Sequence, residues 1–125
     1  MTPATIHRWA DLPTDAPMPL LERQRVLGEK MMISRLVLRR GFSVPIHAHE
    51  NEQISCVLSG KLRFHIQDGH GGTTRTVEVG PGEVLVLPSL VPHGAEALED
   101  CVALDLFSPP SQATGVDMKT AGVEA

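Results

Sequence analysis

Three histidines and one glutamine are the residues of this chain whose types and spacing suit them to hold a metal ion. His47 and His49 are separated by one residue. On an extended strand that spacing puts both imidazoles on one face, with ring nitrogens able to meet at one point. Gln53 follows four residues after His49. Its amide oxygen reaches the same point if the chain bends and the strand resumes. His93 comes from a distant segment, just after the turn from Pro88 to Pro92. Neutral imidazoles with an oxygen donor suit one divalent transition metal, and Ni, Mn, Fe, Co and Zn all accept such donors. The other histidines, His7, His65 and His70, fall on an edge, an outward strand face and a loop, and are expected to be solvated.

Such a set needs short strands to position it, and the chain reads that way. Ten prolines and eleven glycines punctuate runs too short for amphipathic helices. Strands are predicted over 31–38, 53–58, 61–67, 73–79, 84–87 and 101–107. In 61–67 the alternation is clean, with Leu62, Phe64 and Ile66 on one face and Arg63, His65 and Gln67 on the other. Val84-Leu85-Val86-Leu87 is apolar throughout, which predicts a strand covered on both sides. A further edge strand is expected around Ile6 to Trp9. This many short strands in a chain of 125 residues must close or stack to hide their edges, which gives an all-β sandwich or jelly-roll barrel. Residues 1–29 read as an amino-terminal arm with an edge strand, 30–108 as the barrel and 109–125 as a flexible tail.

Composition narrows the partners. Hydrophobic residues make up 42% of the chain, enough for one core. The net charge of -4 and the absence of a basic run longer than Arg39-Arg40 argue against a nucleic-acid partner. No stretch approaches the ~20 apolar residues of a membrane helix, and the polar first segment is unlike a secretory signal, so a cytoplasmic location is expected. There, Cys56 and Cys101 are expected as buried thiols and not as a disulfide.

The stretches GFSVPIHAHENEQISCVLSG, Gly41 to Gly60, and GEVLVLPSLVPHGAEA, Gly82 to Ala97, resemble the two motifs of the cupin family. The first family motif is Gly, five residues, His-x-His, three or four residues, Glu, six residues, Gly. The second is Gly, five residues, Pro-x-Gly, two residues, His, three residues, Asn. The resemblance implies a single jelly-roll barrel with a metal held by His47, His49, His93 and, in place of the family glutamate, Gln53. Glu50 and Glu52 are near but out of register, and a one-residue slip would turn a strand side chain to the other face. Leu90 stands at the motif's glycine and Ala97 at its asparagine. An amide in place of a carboxylate leaves the ion its full double charge, which favours polarisation and proton transfer on an anionic substrate.

In the last strand Cys101, Ala103, Asp105 and Phe107 share one face. The cupin resemblance turns that face into the barrel mouth. There a carboxyl among apolar neighbours would titrate high, as suits a general acid or base. VPHGAEALEDCVALDLFSPP is similar to the small cupins of pectin and alginate breakdown that ketonise 4,5-unsaturated uronates, as is the His-x-His-x-x-Glu-Gln pattern. The likeness implies catalytic roles for Asp105 and Phe107. That group continues Ser-Pro-Pro-Arg, whereas Ser111 stands at the arginine here and cannot pair with a substrate carboxylate. Arg35 or Arg63 is the candidate for the missing charge. The expected function is a metal-dependent isomerase, tautomerase or lyase on a small, anionic sugar acid or keto or hydroxy acid. The alternatives are a non-enzymatic, metal-anchored binding protein and a dioxygenase. Small cupins usually pair through an amino-terminal strand, which implies a homodimer using residues 6–10 and 20–27.

Overall fold

A computed structural model describes residues 2–110. Its nine strands are β1 (Leu21–Leu27), β2 (Met32–Leu38), β3 (Ser43–His47), β4 (Glu52–Ser59), β5 (Leu62–Ile66), β6 (Arg75–Val79), β7 (Val84–Leu87), β8 (His93–Ala97) and β9 (Cys101–Ser108). They form two antiparallel sheets, in the orders β1-β2-β9-β4-β7 and β3-β8-β5-β6. The two sheets face each other as a jelly roll.

Alternation decides what lies between them. On β5, Leu62, Phe64 and Ile66 are buried, and they meet Leu36, Val57, Leu87 and Ala103 from the larger sheet. Arg63 and His65 on the outer face of β5 pair with Glu96 of β8. Tight turns hold the strands in register. Gly60 has φ +82°, and a Cβ there would lie 2.2 Å from the Asp100 carbonyl oxygen, so no other residue fits between β4 and β5.

Two expectations need correction. Ile6 to Trp9 is not a strand; Trp9–Asp11 forms an isolated 3-10 turn, and Ile6 is 83% exposed with no neighbouring strand to pair with. The edge strand of the amino-terminal segment is β1, which pairs along its whole length with β2. Nor is β7 covered on both faces: Val84 and Val86 are exposed, because β7 ends the larger sheet and pairs only with β4. The apolar run reflects instead an uncharged outer row, Val26-Ile33-Leu106-Ile54-Val86, that crosses all five strands in register. The flexible tail expected from 109 onward lies, from residue 111, outside the described residues, and so does Ser111.

Among the described residues no helix is long and apolar enough to cross a membrane. Cys56 and Cys101 are free thiols, Cys101 buried and Cys56 half-buried.

Candidate metal centre

His47 ends β3 and His93 begins β8, and the two are register partners across that strand pair. The register shifts between Val44 and His47, an irregularity that turns the end of β3. His49 lies in the following loop, which two contacts hold. The Leu90 backbone N–H donates to the His49 carbonyl (2.9 Å), and the buried Asn51 side chain donates to the Pro109 carbonyl. The chain then re-enters the larger sheet as β4, and Gln53 points inward.

The three imidazoles converge, with ring centroids 4.6 to 5.4 Å apart and one nitrogen from each within 4.8 Å of the others. Each Nδ1 faces a backbone carbonyl: Pro45 (2.8 Å) for His47, Asn51 (3.0 Å) for His49 and Val91 (3.0 Å) for His93. A carbonyl accepts only, so each Nδ1 carries the proton and a neutral ring keeps its lone pair on Nε2. His49 Nε2 is buried without a hydrogen-bond partner. Burial, reinforced by the neighbouring His47 and His49, pushes the His93 pKa down to about 4, so the ring is uncharged at neutral pH. Three nitrogen donors preset around one point are positioned for a metal ion.

Gln53 and Asp105 stand on the opposite wall. Both are buried, and both line one cavity with His47, His93 and Phe107. Gln53 Nε2 donates to Asp105 Oδ2 (3.2 Å) and Ser55 Oγ (3.1 Å), which directs its amide oxygen away from them. Glu50 and Glu52 are exposed. Asp105 sits between Ser34 of β2 and Ser55 of β4 in register, and its Oδ1 is buried without a partner. Burial raises its pKa to about 6, with the Ser55 hydrogen bond pulling the other way. Phe107 packs edge-on against the His49 ring, centroids 6.0 Å apart.

The structure moves the positive charge. Arg35 alternates outward from β2, and Arg63 pairs with Glu78 and Glu96 on the outer face of β5. Neither lines the cavity. Arg23 of β1 does, buried at 4% exposure. Sequence reasoning passed over it because LERQRVL carries charges at both inward and outward positions, and because the strand itself was not recognised.

The comparisons with known proteins agree with this geometry. The profile described as a Cupin domain matches residues 34–107, the stretch that holds all four candidate donors and Asp105. The chain belongs to the cupin family. No curated protein matches this cupin. Among solved structures it is similar to KdgF from Halomonas sp., at 26% identity over 88% of this chain and 97% of that one, with a TM-score of 0.75. An RmlC-like cupin from Shewanella frigidimarina has the same fold at 21% identity, covering 88% and 95%, TM-score 0.75. So does one third of the Bacillus subtilis oxalate decarboxylase, whose structure describes Mn(II) centres, at 21% identity over 88% and 32%, TM-score 0.74.

Proposed function

We propose that this cupin is a metal-dependent isomerase or tautomerase of a small anionic substrate, a sugar acid or a keto or hydroxy acid. The carrying observation is Asp105: a buried carboxyl with an unpartnered oxygen in a cavity that His47 and His93, two of the three convergent histidines, also line. His47, His49, His93 and the Gln53 amide oxygen would hold one divalent transition ion (Mn, Fe, Co, Ni or Zn). Bound there, such an ion supplies Lewis-acid polarisation of substrate oxygens. Asp105 moves the proton, taking it from an enol hydroxyl as Oδ1 and returning it to carbon, so the substrate is isomerised with no net gain or loss of atoms. A pKa near 6 lets that carboxyl act in either direction near neutral pH. Phe107 closes the wall beside His49 and keeps water from the reacting carbon. The likeness of the His47 to Gln53 pattern and of the last strand to cupins that ketonise 4,5-unsaturated uronates makes those the first substrates to try.

Deuterium uptake from heavy water into a 4,5-unsaturated uronate and into simple keto acids tests the reading. Metal-loaded protein should catalyse it, and Asp105→Asn should lose it at unchanged metal content. A fully loaded protein that moves no proton in any of these acids is instead a binding cupin, and oxygen consumption with Fe(II) would make it a dioxygenase.

We further propose a cytoplasmic homodimer. Free Cys56 and Cys101 suit a reducing compartment. The apolar outer row Val26-Ile33-Leu106-Ile54-Val86 is the surface a second copy would cover, beside residues 6–10 and 20–27. A monomer in sedimentation at micromolar concentration removes the dimer.

A further inference from the structure

We propose that the cavity beside the three histidines binds hydroxy and keto acids bearing a short alkyl chain, with the chain seated in its apolar inner end. This rests on the function proposed above for the acid end of the ligand, and narrows its substrates from sugar acids to short alkyl acids.

The cavity changes character along its length. On β2 its lining runs Ser34, Leu36, Leu38, and on β8 it runs His93, Ala95. Each strand thus passes from a polar to an apolar side chain in one step of two residues, roughly 7 Å. The polar end holds His47, His93, Gln53, Asp105 and Ser34. The inner end is lined by Leu36, Leu38, Phe42, Leu62, Phe64 and Ala95, whose side chains carry no nitrogen or oxygen. Arg23 stands opposite Leu36 in register, and its Nε and Nη2 donate to Asp15 at 3.0 and 2.7 Å. The strand backbones there are already paired, β2 with β9 and β5 with β8.

The space at this end traces to one residue. Ala95 pairs with Val44 of β3 and Phe64 of β5 in register, and its methyl is the smallest side chain in the lining. Ala95 also stays only half-buried although it faces inward, so the cavity reaches it. Close-packed interiors keep few voids of this kind, and this one is continuous with the candidate metal centre. Its volume is about 50 Å³. At roughly 10–15 Å³ for each water-sized sphere, that is room for about three or four heavy atoms. An ethyl or propyl group fits, and gains from burial. A sugar acid, with an oxygen on nearly every carbon, would leave hydroxyls here without partners.

The test is calorimetric titration of the metal-loaded protein with glycolate, lactate, α-hydroxybutyrate, α-hydroxyvalerate and α-hydroxycaproate. Affinity should rise about fourfold for each carbon added up to α-hydroxyvalerate, the gain expected for one buried methylene, and then level off. Glycerate, which puts a hydroxyl where α-hydroxybutyrate has its terminal methyl, should bind about tenfold or more weakly than α-hydroxybutyrate. Ala95→Leu fills the inner end and should flatten the series. Ala95→Val, a smaller change for the case in which the leucine variant fails to fold, should end the rise about one carbon earlier. A series that is flat in the wild type overturns the proposal. So does glycerate matching α-hydroxybutyrate, or a rise that persists in folded Ala95→Leu. If the alkyl acids bind in the expected order and neither they nor their keto forms exchange a proton, the alkyl site stands and the isomerase reading falls. If uronates exchange and the alkyl series is flat, the isomerase reading stands and the alkyl site falls.

Discussion

Gln53 Nε2 donates to Asp105 Oδ2 at 3.2 Å, joining the candidate amide donor of β4 to the candidate proton carrier of β9. Because the two act as one unit, changing either should be felt at the other. Gln53→Glu sets a second carboxyl beside Asp105. The ion should bind more tightly, by about tenfold or more as for outer-partner changes at metal sites. The pH profile of proton exchange should move to higher pH, since like charges disfavour the ionised form of Asp105. Metal affinity unchanged in competition with a chelator would remove Gln53 from the donor set.

Asp105 also gives the metal-free protein a pH dependence of known sign. Its folded pKa, about 6, lies above the ordinary 3.8. Below the lower value the group is neutral in both states and costs nothing. As pH rises through the folded value, a buried carboxylate must ionise and stability falls, by about 3 kcal/mol for a shift of roughly two units. Asp105→Asn escapes this. The stability difference between variant and wild type in urea should be small at pH 4 and grow to about 3 kcal/mol at pH 8. A difference that stays flat across that range would show that the carboxylate is not desolvated.

Metal should stabilise the fold in proportion to its saturation. At one hundred times the dissociation constant the gain is roughly 2.7 kcal/mol, about 8–15 °C in Tm for a domain of this size. A chelator should reverse it. His49→Ala and His93→Ala should each lose the metal-dependent shift while keeping a cooperative melt. A shift that persists in both would place the ion elsewhere.

Leu90 occupies the left-handed region at φ +66°, at the position where the cupin motif has glycine. Its N–H holds the His49 carbonyl, and its side chain is exposed, so little packing is lost on truncation. The conformation costs a branched residue about 1–2 kcal/mol, and glycine gives back about 0.5–1 kcal/mol through the unfolded chain. Leu90→Gly should therefore raise stability by about 0.5–1 kcal/mol, with metal binding kept. Thermal denaturation showing a loss would mean that Leu90 packs in the folded state.

Where side-chain period and ligand chemistry spoke together, the residues themselves were informative. Alternation along 101–107 separates Asp105 and Phe107 from their neighbours, and the structure buries both. His47, His49 and His93 were visible as a set, since few other arrangements of neutral donors serve a metal. What stayed hidden had competing signals. β3 contains Pro45, tolerated because β3 is the edge of its sheet, yet the proline obscured the strand. β1 carries Glu22, Arg23, Gln24 and Arg25 in succession, so no period of two stands out, and its one buried charge was invisible until Asp15 was seen beside it. The apolar run of β7 spoke for burial, whereas only the pairing shows that half of it faces outward.

On β9, odd-numbered positions face inward, Cys101 and Ala103 to the core and Asp105 and Phe107 to the cavity, and even-numbered positions, from Val102 to Leu106, make the exterior. Two surfaces are thus written on one strand as interleaved alphabets. Substitutions can retune ligand preference and self-association independently, so laboratory evolution could diversify one without touching the other. A single-residue insertion exchanges them wholesale, which makes this strand permissive to replacement and intolerant of length change.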